Sequence, residues 1–463
     1  MPALHAVLCL AAVLALLPAE ALAHASDRGH VLLLPTGHYL FGGACAVAAS
    51  FLAMVVLPPG FARWFSSVGA RLPSIPEGFR IWSSLASFLF VAALVAAGLF
   101  GSRDPLSNPL PLMVWTVLWV GLTLVQGLVG DVWRWINPWY GPVQLVRRWL
   151  PAPRRLPEAE GCWPAILLFA GFAWFELVDV APDDPARLAV AVGAYWLVTF
   201  LAMLVCGFDC WSRCGEFLTL FFGFVSRLAP IGRDRSGEPR LRLPGAGLAT
   251  AEPLTASATL FLLFALASVS FDGFSKTFLW LDLIGINPLE FPGRTAVLAA
   301  NSVGLGLAFA VLTGLFLLCV ELGRRLTGEG AFLRSAGLLV WSLVPISLAF
   351  HFAHYLVVLL VNGQYALVAL SDPFSLGWNL FGTAHMQVSA GIAMGSGAAW
   401  TIWNLQASAI ILGHVLAVVV AHMLAGRLHD DPGKASVAEL PLTVLMVGYT
   451  VFGLWLLSTP TGV

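Results

Sequence analysis

Long apolar segments alternate with short polar connections along almost the whole chain. After residue 23, each of ten segments is long enough to cross about 30 Å of bilayer hydrocarbon as a helix. They cover residues 38–57, 82–100, 110–130, 163–178, 188–208, 255–271, 295–320, 335–361, 400–424 and 438–457. This pattern predicts an all-α fold, a polytopic transmembrane helix bundle of about ten helices. Residues 24–463 are expected to form a single integral membrane domain.

The first 23 residues have the layout of a cleavable signal peptide. Val7 to Leu17 form a short apolar core, and Ala21-Leu22-Ala23 is a small-x-small cleavage motif. We therefore predict cleavage after Ala23 and a mature N-terminus outside the cytoplasm. If the segment is retained, it is one more membrane helix, and its N-terminus lies in the cytoplasm.

Basic residues predict the orientation of the bundle. With residue 24 outside, nineteen of the 24 Lys and Arg residues fall in alternate connections assigned to the inner side, and five fall outside. Cytoplasmic connections of membrane proteins carry such an excess. The predicted location is the bacterial inner membrane, with the mature N-terminus and the C-terminus on the periplasmic side. In the inner basic segment, 209–250, residues 210–229 are predicted to form an interfacial helix.

Composition excludes a soluble globular domain. Only 11% of the residues are charged and 59% are hydrophobic, whereas soluble domains average about 25% charged residues. The net charge of −1 and the absence of a basic tract argue against nucleic-acid binding. Cys206, Cys210 and Cys214 recur every four residues, which places them on one predicted helical stripe. We interpret them as buried hydrophobic side chains, with a thiol cluster for a soft metal as the alternative.

Two of the predicted helices carry histidines at membrane depth, where ionisable side chains are costly and commonly functional. One contains His351 and His354 in HFAHY, and the other contains His414 and His422 in GHVLAVVVAH. Counted from the predicted helix ends, His354, His351 and His414 lie about 10, 15 and 20 Å below the outer boundary. These three are the predicted ligands of a divalent metal ion, with interhelical hydrogen bonding as the alternative. Pro345 is expected to break the first of these helices next to the site.

Two acidic residues and one further histidine lie on the same predicted side. Asp272 follows an apolar run in SFDGFS, and Asp372 and His385 lie in an outer-face loop, 362–399, that contains no Lys or Arg. The three residues are predicted catalytic groups that accept a proton or orient a metal ligand. For both aspartates, helix capping is the alternative.

A processed N-terminus adds a further candidate metal ligand. The α-amine and the ring nitrogen of His24 would bind copper together, with His30 or His38 as the third ligand. Nitrogen ligands of this kind suit Cu(II). The hypothesis depends on cleavage after Ala23.

Six segments carry a recognisable pattern. They are VWRWINP (132–138), SFDGF (270–274), VPISLAFHFAHYLVVLL (344–360), SDPFSLGWNLFGTA (371–384), GHVLAVVVAH (413–422) and LPLTVLMVGYTVFGLWLL (440–457). Together they resemble a family of bacterial polytopic membrane proteins that includes proteins known as fenitrothion hydrolase, a membrane-bound organophosphate triesterase. The similarity spans nearly the whole mature chain and is strongest after Leu254.

The resemblance implies a hydrolase that cleaves the P–O aryl bond of apolar organophosphate triesters. In that expectation a metal-bound hydroxide attacks phosphorus, because coordination brings the pKa of water to about 7. His351, His354 and His414 hold the metal, and Asp272 or Asp372 orients a ligand or accepts a proton. The expected partners are a small apolar substrate and the lipid bilayer. An open alternative is that this chain is a structural subunit and that a small partner subunit carries part of the active site.

Two other functions use the same residues. In a transporter or copper-handling protein, the intramembrane histidines and Asp272 form a polar path through the bundle, and flux in liposomes distinguishes this from hydrolysis. Haem ligation by histidines of adjacent helices is a third hypothesis, which a Soret band in the purified protein would reveal.

Overall fold

Helices make up nearly all of the regular structure in the computed structural model, which describes residues 36–56, 60–153, 161–234, 236–287, 293–389, 391 and 396–459. In chain order the helices are α1 (Thr36–Val56), α2 (Phe61–Ser67), α3 (Glu77–Phe100), α4 (Pro109–Leu128), α5 (Trp133–Ile136), α6 (Tyr140–Arg147), α7 (Trp163–Leu177), α8 (Pro185–Cys206), α9 (Phe208–Cys214), α10 (Phe217–Val225), α11 (Ala246–Ala249), α12 (Ala256–Ser275), α13 (Phe278–Leu283), α14 (Arg294–Thr327), α15 (Phe332–Ser371), α16 (Ser396–Ala425) and α17 (Pro432–Ser458). The strands are β1 (Gly69–Arg71), β2 (Ile231–Arg233) and β3 (Pro239–Arg242). The predicted signal peptide and the candidate ligands His24 and His30 lie outside the described residues.

Each apolar segment of the sequence corresponds to a helix. Within the described residues, nine helices are long and apolar enough to cross a membrane, and α7 is a shorter apolar helix. Large side chains from several helices fill the core, and Phe169, Phe222, Phe261 and Trp341 are almost fully buried. The all-α helix bundle predicted from the hydrophobic pattern is confirmed.

The helix that carries HFAHY is longer than predicted. α15 ends at Ser371 rather than at residue 361, so the loop that follows begins ten residues later. Ala366 and Ala369 are buried against Leu112 of α4, and this packing keeps the extra turns helical. His351 and His354 therefore lie deeper below the helix end than predicted, by about 15 Å.

The segment predicted to lie on the membrane surface is instead buried in the bundle. Most residues of α10 are buried, and the carboxylate of Glu216 caps its first turn by accepting from two backbone N–H groups. Of the three charged residues that suggested an interfacial helix, Arg213 and Arg227 are exposed, and Glu216 is a buried helix cap. Gly207, with a φ of +89°, separates α8 from α9. Its turn interrupts the predicted cysteine stripe between Cys206 and Cys210.

Arginine side chains collect at one end of the bundle, which we call the arginine-rich end and define by Arg80, Arg134, Arg148, Arg227 and Arg242. The three strands form a small antiparallel sheet there, in the order β1-β3-β2. The guanidinium of Arg242 donates to three carbonyl oxygens just beyond α10, at 3.1 to 3.3 Å, as is typical at helix C-termini. Burial, assisted by the charge of Arg227, lowers the pKa of Arg242 to about 10. The opposite end, where α12 ends and residues 372–389 lie, is called the far end.

Close packing of α14 against α17 depends on Gly323. A Cβ atom at this position would lie 2.0 Å from the carbonyl oxygen of Ala438. We expect Gly323→Ala to lower the free energy of unfolding by about 1–3 kcal/mol, because the backbone of one helix must move. Gly314 of the same helix has no atom within 4 Å of a Cβ placed there. Thermal unfolding in detergent measures both variants, and equal Tm values for Gly323→Ala and Gly314→Ala would contradict the prediction.

Candidate functional site

Ionisable side chains from α7, α12 and α15, together with Lys276, meet inside the bundle toward the far end. We call this group the acid–base cluster: Glu176, Asp272, Lys276, His354 and Tyr355. At its centre is Asp272, whose side chain is 6% exposed. Its Oδ1 atom lies 2.8 Å from Nζ of Lys276, and its Oδ2 atom lies 2.7 Å from Nε2 of His354.

Tyr355 links the two carboxyl groups of the cluster. Its hydroxyl donates to Oδ2 of Asp272 at 2.7 Å and lies 3.2 Å from Oε1 of Glu176. The Asp272 carboxylate therefore contacts an ammonium, an imidazole and a phenol. A buried carboxylate is stable only with such partners, so the contacts of the cluster are what allow Asp272 to be buried in the bundle.

Only one ring nitrogen of His354 is used within the cluster. Nε2 faces Asp272, whereas Nδ1 makes no hydrogen bond with any of the described residues. The backbone of Gly273 lies on that side of the ring, where an added Cβ atom would be 3.7 Å from Nδ1, in ordinary van der Waals contact. The His354 side chain is 26% exposed. A neutral imidazole that carries its proton on Nε2 has a free lone pair on Nδ1, so in that form the Nδ1 atom of His354 can accept a proton.

His351, one turn away, has a different partner. Its Nε2 atom lies 2.9 Å from the carbonyl oxygen of Trp119, and the two rings are nearly perpendicular, with centroids 5.4 Å apart. Because a carbonyl oxygen only accepts, Nε2 is the protonated nitrogen. Trp119 lies in a π-helical stretch of α4, Leu112–Leu122. π-Helical geometry is rare in proteins overall, and where it occurs it is often found at functional sites. His351 therefore joins α15 to α4 beside the cluster.

His414 is separate from both of these histidines. Its Nδ1 atom lies 2.8 Å from the carbonyl oxygen of Ile410 in its own helix. Its Nε2 atom is buried and has no partner among the described residues. The ring packs beside Phe350 and Tyr449, with centroids 6.1 and 6.4 Å away. The two neighbouring helices thus direct their histidines to different contacts.

The side chains predicted to bind a divalent metal do not fit one as they are arranged. Among the described residues, no three His, Cys, Asp or Glu side chains are placed to hold a metal ion. His351, His354 and His414 contact a carbonyl oxygen, a carboxylate and another carbonyl oxygen, respectively. Copper binding by His24 concerns a residue outside the described ranges and stays a prediction.

The predicted catalytic residues after α15 belong to the loop at the far end. The carboxylate oxygens of Asp372 accept from the N–H groups of Leu376 and Gly377, both at 2.8 Å. Partial burial raises the pKa of Asp372, but backbone N–H donors outweigh this effect, and the pKa is lowered overall. The carboxylate of Asp372 thus fixes a turn of the loop that follows α15 and does not cap a helix. His385 is exposed in the same loop.

No protein-family model, curated protein or solved structure matches this chain. Of the residues predicted from the sequence, the acid–base cluster contains Asp272 and His354, which the fold brings into direct contact.

Three members of the cluster were not predicted from the sequence. Glu176 is the single charged residue in the apolar segment 163–178. A lone carboxylate at membrane depth could have been recognised from the sequence as a candidate site residue. Lys276 follows Asp272 by four residues, the spacing of neighbours on one helical face. Tyr355 is part of HFAHY, but its role depends on α7 and α12, which the motif does not specify.

A second acid–base pair lies toward the arginine-rich end. Nδ1 of His422 is 3.2 Å from Oε1 of Glu439, and Glu439 is fully buried. The other carboxylate oxygen, Oε2, has no partner among the described residues. This pair joins α16 to α17 at a distance from the acid–base cluster.

Proposed function

We propose that this protein is an integral membrane hydrolase that cleaves the P–O aryl bond of neutral organophosphate triesters, with His354 as the general base. The contact between His354 and the buried Asp272, which leaves Nδ1 unbonded, supports this most directly. Imidazoles oriented by a carboxylate are common general bases. In the proposed orientation the arginine-rich end faces the cytoplasm, and the acid–base cluster lies toward the periplasm. Neutral triesters would reach it from the bilayer.

The proposed reaction needs one base and one good leaving group. A water molecule beside Nδ1 of His354 attacks phosphorus while Nδ1 accepts one of its protons. The P–O aryl bond breaks, its electron pair leaves with the aryl oxygen, and the proton then passes to that oxygen or to water. Asp272 stabilises the imidazolium, and Lys276 keeps Asp272 ionised through their 2.8 Å contact. The products are a phosphodiester acid and a phenol.

Hydrolysis of fenitrothion by the purified protein tests the proposal. Release of the nitrophenolate is followed by its absorbance, with the protein in detergent or in nanodiscs. Because the proposed step uses only side chains and water, we expect the rate to persist after treatment with a chelator. Loss of activity on chelation and recovery with a divalent ion would favour the metal site predicted from the sequence. No release by the wild-type protein would overturn the proposal.

His414 distinguishes the proposed site from that metal site. We expect His414→Phe to leave the rate of hydrolysis unchanged, because the ring contacts neither Asp272 nor His354. Replacing a buried ring that has an unpartnered nitrogen should raise the free energy of unfolding by about 1 kcal/mol or leave it unchanged. Steady-state kinetics and thermal unfolding measure the two effects. A large loss of activity in a stable His414→Phe protein would show that His414 belongs to the active site, as the predicted metal site requires.

Proton-coupled transport is a second candidate function, and the His422–Glu439 pair favours it. A buried carboxylate with one unpartnered oxygen is a typical proton-binding group in membrane transporters. Proteoliposomes with an internal pH-sensitive dye would show proton uptake that Glu439→Gln abolishes. Sealed vesicles without such uptake would remove this candidate.

A further inference from the structure

A large apolar slot lies between α3, α4, α7 and α8. Its volume is about 560 Å³, which falls in the range of cavities that bind small molecules. None of the side chains of the acid–base cluster lines it. Trp119 and Phe172, whose ring centroids are 4.7 Å apart, lie between the slot and His351. The slot is thus distinct from the candidate active site.

The slot runs lengthwise along the helices. On α8 its lining extends from Leu188 to Val198, a distance of about 15 Å at the helical rise per residue. Phe90 of α3 and Val198 of α8 line it and are 43% and 53% exposed. The slot is therefore open to the apolar side surface of the bundle, where a membrane would supply hydrocarbon.

Nothing in the lining recognises a charge. The lining side chains include no Asp, Glu, Lys, Arg or His. The hydroxyl of Tyr195 is already donated to the carboxylate of Glu216. Aromatic rings of Trp115, Phe172 and Trp196 form much of the wall. An occupant is held here by van der Waals packing of hydrocarbon against these walls rather than by polar bonds.

Charge appears where the slot approaches the arginine-rich end. Its lining reaches Ile136, at the end of α5, and Pro138. α5 itself carries Arg134, whose guanidinium pairs with the carboxylate of Glu77. Arg148 is exposed at the same end and lies over the ring of Trp149 at 4.1 Å. Arginine and tryptophan at a membrane interface suit a phosphate headgroup.

We propose that the slot binds one hydrocarbon chain of an anionic phospholipid, with its headgroup at the arginine-rich end. Two features together indicate this occupant. The slot is uncharged, elongated and open to the side of the bundle, and guanidinium groups lie at one of its ends. The proposal uses the membrane placement given above but not the hydrolase reaction, so hydrolysis can fail without affecting it.

Native mass spectrometry of the full chain in detergent tests the slot, with dioleoyl phosphatidylglycerol and dioleoyl phosphatidylcholine as probes. Gly171 lines the slot, and a Cβ atom there would have no neighbour within 4 Å, so Gly171→Leu places a side chain in the slot from an unhindered Cβ atom. Gly306 of α14 has equally open surroundings away from the slot, and Gly306→Leu is the matched control. We expect one tightly held phosphatidylglycerol, with affinity reduced about tenfold or more in Gly171→Leu and unchanged in the control.

The headgroup assignment has its own readout. Arg148→Gln should reduce the preference for phosphatidylglycerol over phosphatidylcholine while chain binding persists. Unchanged lipid retention in Gly171→Leu, or equal losses in both leucine variants, would overturn the slot as the binding site. Equal retention of the two lipids by the wild-type protein would overturn the headgroup assignment.

Discussion

Replacing His354 with alanine is expected to lower the rate of triester hydrolysis by about 10²–10⁴-fold, the usual contribution of a positioned general base. The reason is geometric, since Nδ1 of His354 is the unbonded ring nitrogen of the cluster and Asp272 holds the ring from the other side at 2.7 Å. Initial rates of nitrophenolate release measure kcat and KM separately. The loss should fall on kcat, because the imidazole accepts the proton only as the P–O bond to water forms.

Two further measurements separate catalysis from structure in this variant. Added imidazole should restore part of the rate to His354→Ala, since the missing ring leaves a space beside Gly273. His385→Ala should retain the wild-type rate, because His385 is exposed in the loop after α15. If His354→Ala keeps the wild-type rate and His385→Ala abolishes hydrolysis, the general base is His385 in the loop and not His354.

The second large effect is expected on stability. Asp272→Ala removes the carboxylate that Lys276, His354 and Tyr355 contact, and it leaves these polar groups without their shared partner. Breaking a buried ion pair costs about 3–5 kcal/mol. We expect the lower end of that range, because Lys276 is 37% exposed and can turn toward solvent. Thermal unfolding in detergent, followed by circular dichroism, gives the change in Tm.

A double variant tests the physical reason. Asp272→Ala with Lys276→Met removes both charges, so the double variant should be more stable than Asp272→Ala alone. Asp282→Ala, at an exposed aspartate in α13, should leave Tm unchanged. If Asp272→Ala unfolds at the wild-type temperature, the acid–base cluster does not contribute to holding α12 and α15 together.

The sequence predicted correctly those features of the site that depend on one helix at a time. His351 and His354 were correctly placed inside an apolar helix, and Asp272 near the end of another, because hydrophobic length and spacing are local properties of the chain. At Pro345 the helix is not interrupted, since α15 runs through it, but the turn before it, Val340–Ser342, is 3₁₀ rather than α-helical. Proline lacks the N–H group that would continue the helical bonding.

Hydrophobic length and spacing did not predict which of these side chains contact each other. His354 contacts Asp272, and His414 bonds within its own helix, because the rotation of each helix about its axis decides which side chains face each other. That rotation is set by close packing elsewhere, for example where Gly413 lets α16 approach the carbonyl oxygen of Pro345. The buried position of α10 was missed for a similar reason, since the helix cap formed by Glu216 conceals its charge.

The sequence by itself determined an all-α bundle of apolar helices, its arginine-rich connections and the polar residues within it. These follow from the amount and period of hydrophobicity along the chain, which need no knowledge of other segments. The tertiary structure decided that Asp272, His354, Tyr355, Lys276 and Glu176 form one cluster, whereas His414 stays outside it. Contacts between helices far apart in the chain arise from the shapes and rotations of packed surfaces, and no single segment encodes them.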